Sequence, residues 1–501
     1  MEFAFEEKTV SHLQLLAEEW LRQEETAELI VPDSEPDAAE VLDCFASCVV
    51  RSKECQAGSV LISGVIQASL LYLAGEETTP RLLETYLPFS IKKEISGCEA
   101  SDLAQLQCRV THADGRVLNS RKLLVRVEIG CDLHLYRPAA ETIYTPDAPD
   151  PHLQLHRRQY PLLLDLEAGE KLFAMEEEPE LPAGRPDPVR VLFARAQPSV
   201  TETRLAGSRL VCKGVVSLQI LYEAAEGQVT RWDCQLPFSQ FIDLAGSYEE
   251  ETCTLQLQLA GCEVSGGQNG ERRFSCDLML LAQCMVRGYR TLEIVDDAYW
   301  LGGSMQAKVS PCSIRCQLDQ QQLSQTVYLE VPAQMYLVHD AQVLVGRPEV
   351  SQRDGRTEIR VPVAVSLCGA DAAGHLCGGS AQGAAEFSQA ASNLSHCSCT
   401  AYVTGEVFAT PGADRVQVRF DLTLQCQWHA LCSFESISGG VVQTQEETPD
   451  RPSVILRTLE RDTSVWDIAK VCNTTQERLT KANELQEDVV PAGTLLLLPL
   501  A

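Results

Sequence analysis

An apolar residue followed by Pro-x-x-x-Pro-Asp occurs twice in this chain, as Val31-Pro32-Asp33-Ser34-Glu35-Pro36-Asp37 and as Leu181-Pro182-Ala183-Gly184-Arg185-Pro186-Asp187. It returns in part as Val331-Pro332-Ala333. The leading prolines stand at 32, 182 and 332, a step of 150 residues. A period that long is the size of a domain rather than of a solenoid turn, so it predicts three tandem copies of one fold.

Other features keep step with it. Gly64 and Gly214 each open a long alternating run that ends at Leu71-Tyr72 and Leu221-Tyr222. Leu87-Pro88-Phe89 has its counterpart in Leu236-Pro237-Phe238. The last strand of each copy reads with period two: Leu123 to Leu135, Phe274 to Val286, Val418 to Trp428. Such alternation predicts strands with one buried face. The third copy lacks the Leu-Pro-Phe landmark, and Gly369 to Ser392 reads as loop and weak strand. The fold class expected is therefore mainly β, three sandwich-like or barrel-like repeats at 28–138, 181–294 and 331–437.

Between them the pattern predicts other structure. Val10, Leu13, Leu16, Ala17, Trp20 and Leu21 share a helical stripe, giving an N-terminal helix within residues 1–27. Residues 139–180 read as a Pro- and Glu-rich linker, residues 295–330 as a second linker with a short helix at Gln317–Gln325, and residues 438–452 as a third.

Formal net charge is −29, which argues against a nucleic-acid partner. The acidic start lacks a basic and apolar leader, and no apolar run spans a bilayer, so the expectation is a protein that begins in the cytosol. The 21 cysteines show no Cys-x-x-Cys, and read as reduced, buried thiols. Cys131, Cys284 and Cys426 occupy the same place in the three last strands. No hydrolase elbow, zinc helix or phosphate loop is present, so no enzyme activity and no cofactor or metal is expected.

Beyond residue 453 the period changes. Ser464 with Asp467 forms a capping box, Trp466, Ile468, Ala469 and Cys472 make one helix stripe, and Leu479 and Ala482 make a second. Thr494–Leu498 then closes a small β-α-α-β unit at 453–501. Asp462-Thr463, Trp466-Asp467-Ile468-Ala469, Asn483, the Pro491–Gly493 turn and Leu498-Pro499 resemble a LysM domain. That resemblance implies a groove of Asp462, Thr463, Ser464 and Val465 facing Val490, Pro491, Ala492 and Gly493. The repeats resemble SPOCS domains, through the Pro-x-x-x-Pro-Asp opening, the Gly-initiated strand and Leu-Pro-Phe. SPOCS repeats ending in one LysM resemble the SipL family of clostridial spore-coat morphogenesis proteins. The resemblance implies a non-enzymatic mother-cell scaffold, recruited to the forespore surface, whose LysM domain engages a SpoIVA-type basement-layer ATPase. The alternative is a peptidoglycan-binding protein of the cell wall or spore cortex.

Overall fold

The structure, a computed structural model, describes residues 2–75, 80–145, 150–224, 228–266, 271–353, 356–390, 396–444 and 454–499. It is mainly β, as expected. In the first repeat the strands are β1 (Glu2–Ala4), β2 (Glu6–Ile30), β3 (Ala38–Gln56), β4 (Ser59–Ala74), β5 (Arg81–Glu94), β6 (Leu103–Asn119) and β7 (Lys122–Thr145). The second has β8 (Leu153–Glu177), β9 (Pro188–Ala224), β10 (Val229–Tyr248), β11 (Thr252–Gly266) and β12 (Phe274–Trp300). The third has β13 (Gly303–Val331), β14 (Leu337–Val345), β15 (Glu349–Arg353), β16 (Arg356–Ala370), β17 (Leu376–Ala390), β18 (His396–Pro411) and β19 (Val416–Thr444).

Three sequence-based expectations fail, all for one reason. The N-terminal helix is strand β2, and most of the linkers at 139–180 and 295–330 is strands β8 and β13; Gln317–Gln325 is strand as well. Each is the opening strand of its repeat. It pairs antiparallel along the repeat's last strand as a long ribbon: β2 with β7, β8 with β12, β13 with β19. Every ribbon carries a register break, between Leu15 and Ala17, between Asp165 and Glu167, and between Gln317 and Asp319. A β-bulge shifts alternation by one residue. Two half-faces joined out of phase put apolar residues at spacings of three and four, which imitates a helix in residues 8–24. Of the third linker, residues 438–444 complete β19 and pair with β13 and β1, and 445–452 lie outside the described residues. The Gly369–Ser392 stretch is likewise more regular than its composition suggests, because β17 pairs with β16 from Ala370↔Leu376 to Arg356↔Ala390.

Each ribbon takes a third strand, giving β2-β7-β6, β8-β12-β11 and β13-β19-β18; the last two join through Gln317↔Leu163 of β13 and β8 into one seven-stranded sheet, with β1 on the edge of β19. A second sheet covers each: β3-β4-β5, β9-β10, and β14, β15 and β17 around β16. Three separate cores fill the sandwiches. The alternating faces read from the sequence are those cores, and Leu123, Val125, Val127, Ile129, Cys131, Leu133 and Leu135 are all fully buried.

The recurrent motif is a clamped turn. Glu35 N–H donates to Pro32 O at 2.9 Å, and Arg185 N–H to Pro182 O at 3.3 Å. Arg121 reaches over the first turn, donating to Pro32 O and Glu35 O, both at 2.8 Å, and to Asp37 at 3.0 Å. Arg272 does the same in the second repeat, to Pro182 O at 2.7 Å, Arg185 O at 3.2 Å and the Asp187 carboxylate. Arg415 pairs with Glu330 at the third site. Arg272→Ala should therefore cost about 1–2 kcal/mol, since several charge-assisted bonds are lost from a partly exposed site. A lower urea midpoint of the full chain checks this; an unmoved midpoint would mean the turn stands without its arginine.

The repeats do not hang as separate beads. Leu42, Phe45 and Leu71 of the first, Leu192, Leu221 and Val229 of the second, and Cys368, Ala370 and Leu376 of the third share one cluster. Phe45 stacks on Phe193 with ring centroids 4.1 Å apart. Beside it Asp340 holds Arg195 at 3.1 Å and Arg231 at 3.3 Å. Asp43 is buried close by. Its burial, reinforced by the Asp340 charge, pushes its carboxyl up to about 7. Gly378 of β17 serves this packing, for a Cβ there would lie 1.9 Å from the carbonyl oxygen of Leu42 in the first repeat. The edge of β6 is covered by amides of the second repeat: Gln283 both accepts from Leu106 N–H and donates to Leu106 O, and Gln258 accepts from Cys108 N–H. Strand edges left open invite foreign pairing, and these side chains close one.

The C-terminal head as candidate binding site

The head comprises β20 (Val454–Thr458), β21 (Thr463–Ser464), α1 (Val465–Val471), α2 (Gln476–Asn483), β22 (Val489–Val490) and β23 (Leu495–Pro499). Its sequence signals act as local chemistry requires. Ser464 caps α1, its hydroxyl accepting from Asp467 N–H at 3.0 Å and donating to the Asp467 carboxylate at 2.6 Å. Thr475 caps α2, its hydroxyl accepting from Arg478 N–H at 3.1 Å. Val465, Trp466, Ile468, Ala469, Leu479, Val490, Leu496 and Leu498 form the core. Ala482, expected on the buried stripe of α2, is exposed.

The eight groove positions come together because β21 and β22 pair, Thr463 with Val490 and Ser464 with Val489. Asp462 accepts from Ala492 N–H at 2.8 Å, and Gly493 N–H reaches Leu459 O at 2.8 Å. Gly493 sits at φ 84°, which glycine adopts without penalty. The eight do not share one environment. Val465 and Val490 are core residues, Thr463 and Ser464 are half-buried, and Asp462, Pro491, Ala492 and Gly493 are exposed. Only the last four, with parts of Thr463 and Ser464, face solvent.

A second surface was not legible in the sequence. Pairing of β20 with β23 turns Leu496 and Leu498 inward, and leaves Val454, Leu456, Leu495 and Leu497 outward, with Leu456 and Leu495 64% and 62% exposed. This apolar face follows directly in the chain from the Pro491–Gly493 turn. Its signal was the unbroken run Leu495-Leu496-Leu497-Leu498, whose period-two reading already implies one uncovered side in a two-stranded sheet. The only aromatic residue between Val454 and Pro499 is Trp466, and its ring is buried.

Trp466 also docks the head on the second repeat. Its Nε1–H donates to Asp297 at 2.7 Å, and Lys470 Nζ lies 2.7 Å from both oxygens of the same carboxylate. Burial alone would raise the Asp297 carboxyl, but Lys470 and the indole N–H outweigh it and hold it below its ordinary value. Tyr299 meets the indole edge-on at 4.9 Å and donates to Thr474 O at 2.6 Å. His156 lies 5.0 Å from the indole on another side.

Elsewhere, a cavity of about 510 Å³ lies where the three ribbons meet. Gln105, Gln256, Gln283, Gln322, Gln425 and Gln427 line it with hydroxyls, one histidine and one arginine. That arginine, Arg287, is held by Asp165 at 2.6 Å.

Residues 37–118 and 187–265 both match the family model described as SipL, SPOCS domain. The protein is SipL-like. The two matched segments begin 150 residues apart, each just after its clamped turn, and each holds the paired glycine and phenylalanine of a SPOCS domain in this chain. The match, over about a third of the chain, supports a sporulation-related protein. No curated protein and no solved structure matches the chain. Among the described residues, no helix is long and apolar enough to cross a membrane.

Proposed function

We propose that this protein is a non-enzymatic scaffold of spore-coat assembly, working in the mother cell at the forespore surface. Residues 453–501 act in it as a LysM domain that binds a protein partner, a SpoIVA-type basement-layer ATPase. The SPOCS match supports the setting. The observation that carries the choice of partner is the uncovered apolar face of β20 and β23 beside the groove. Contiguous exposed apolar surface marks protein contacts, whereas a sugar ring is commonly held against an exposed aromatic face, and the head offers none. Three SPOCS-like sandwiches packed together give that head a rigid base and further surfaces for a multivalent layer.

The test is capture of the full chain on immobilised coat ATPase and, in parallel, on purified peptidoglycan. Binding to the ATPase is expected, with at least a tenfold loss for Leu456→Asp with Leu497→Asp, and for Asp462→Lys, while circular dichroism stays that of the parent. Capture by peptidoglycan alone would replace this reading with the wall-binding one.

A further inference from the structure

The cysteines that recur in the three last strands each face a second thiol on the neighbouring strand. In the first repeat Cys131 of β7 stands directly opposite Cys108 of β6, and the two form a disulfide. This corrects the expectation of reduced thiols throughout. In the third repeat Cys426 of β19 stands directly opposite Cys399 of β18, with the sulfurs 3.3 Å apart. In the second, Cys284 of β12 and Cys253 of β11 are two positions out of register, with each thiol acting on the titration of the other. Each pair joins the ribbon to its third strand on the core face of the same sheet.

We propose that these are three equivalent oxidation sites, Cys108–Cys131, Cys253–Cys284 and Cys399–Cys426, each closing to a disulfide that staples one repeat. This assignment is independent of the coat reading. The recurrence carries it: one pair is closed, the third-repeat pair stands directly opposite with its sulfurs 3.3 Å apart, and the second-repeat pair joins the same two strands two positions out of register. The sequence distance from each last-strand cysteine to its partner differs among the copies, so the sheet pairing and not a short motif brings the thiols together. Cross-linking adjacent strands restricts the unfolded chain and raises stability.

The chemistry needs a two-electron oxidant, taken here as a low-molecular-weight disulfide. One protein thiol loses its proton and attacks that disulfide, releasing one small thiol and leaving a mixed disulfide. The partner cysteine loses its proton and displaces the second small thiol, forming the protein S–S bond. Two protein thiols are oxidised and one small disulfide is reduced to two thiols. Contacts with Cys397 and Cys426, then burial, push the Cys399 thiol up, and the contact with Cys397, helped by burial, pushes Cys426 up against the opposing effect of Cys399, so exchange is slow in the folded state and the closed form persists. Cys397, 3.5 Å from Cys399, makes the third site a cluster of three sulfurs, and a thiophilic metal is the competing occupant there.

The experiment uses the full chain, reduced and freed of reductant, then incubated with oxidised glutathione, alkylated in denaturant and peptide-mapped. Three cross-linked pairs are expected, each within one repeat and each two hydrogens lighter than its reduced form, with Cys426 bound to the peptide that carries Cys397 and Cys399. The oxidised chain should melt several degrees above the reduced one. Cys253→Ser should lose the second link alone. Alkylation of Cys253, Cys284, Cys399 and Cys426 after oxidation would overturn the proposal, as would links between repeats. So would stoichiometric zinc retained on the purified chain with the third site unlinked.

Discussion

Trp466→Ala is expected to unfold the head within the intact chain. Its indole is part of the head's small core and also the centre of the contact with the second repeat, between Tyr299, His156 and Asp297. Truncating a buried tryptophan costs about 3–5 kcal/mol, a large share of what a unit of under 50 residues can hold. The loss also strands the Asp297 carboxylate with one partner fewer. Hydrogen exchange checks the result: amides of 454–499 should lose protection while those of β7 and β12 keep theirs. Asp297→Asn separates the two roles, because it weakens docking and leaves the core of the head whole. It should retain protection in α1 and α2. Full protection in Trp466→Ala would mean that Leu479, Leu496 and Leu498 suffice for that fold.

Gly214→Ala is expected to break the second repeat. Gly214 lies directly opposite Phe238 in the β9–β10 pair. A Cβ there would stand 2.3 Å from Phe238 Cζ and 2.3 Å from the carbonyl oxygen of Ser199. The ring could tilt aside, but the carbonyl belongs to backbone within the same folded-back strand and cannot. Overpacking at such a point costs about 3 kcal/mol. Gly64, under Phe89 and against Val49 O, makes the same prediction for the first repeat. Urea unfolding of the full chain measures both. Adding Phe238→Leu removes only the ring contact, so it should not restore Gly214→Ala; restoration would place the whole clash in the ring. This geometry also explains why the glycine and the Leu-Pro-Phe element appear together in two copies and are both missing from the third, where Val361, Val363 and Val365 of β16 face Ala385, Gly383 and Ala381 instead.

The same comparison separates what residue order reveals from what it hides. The clamped turn was visible as a motif, yet its arginines were not, since Arg121 lies 89 residues from Pro32 and nothing local marks it. In the head, caps and turns depend on neighbours three or four residues away, and Ser464, Asp467 and Thr475 could be assigned directly. The pairing of Thr463 with Val490 brings the two proposed loops together, but the burial of Val465 and Val490 was not legible, because burial depends on what lies underneath. The apolar face of β20 and β23 needed knowledge that no third strand covers it.

Sequence alone determined the number of repeats, their period and the inward faces of their strands, because alternation is a property of consecutive residues on one pleated strand. Tertiary structure decided that the supposed helix and linkers are strands, since a bulge changes phase only relative to a partner more than 100 residues away. It decided also which cysteines meet, that three modules close on one shared cluster, and where the head rests. Each of those depends on surfaces from distant parts of the chain meeting, and no local pattern encodes that meeting.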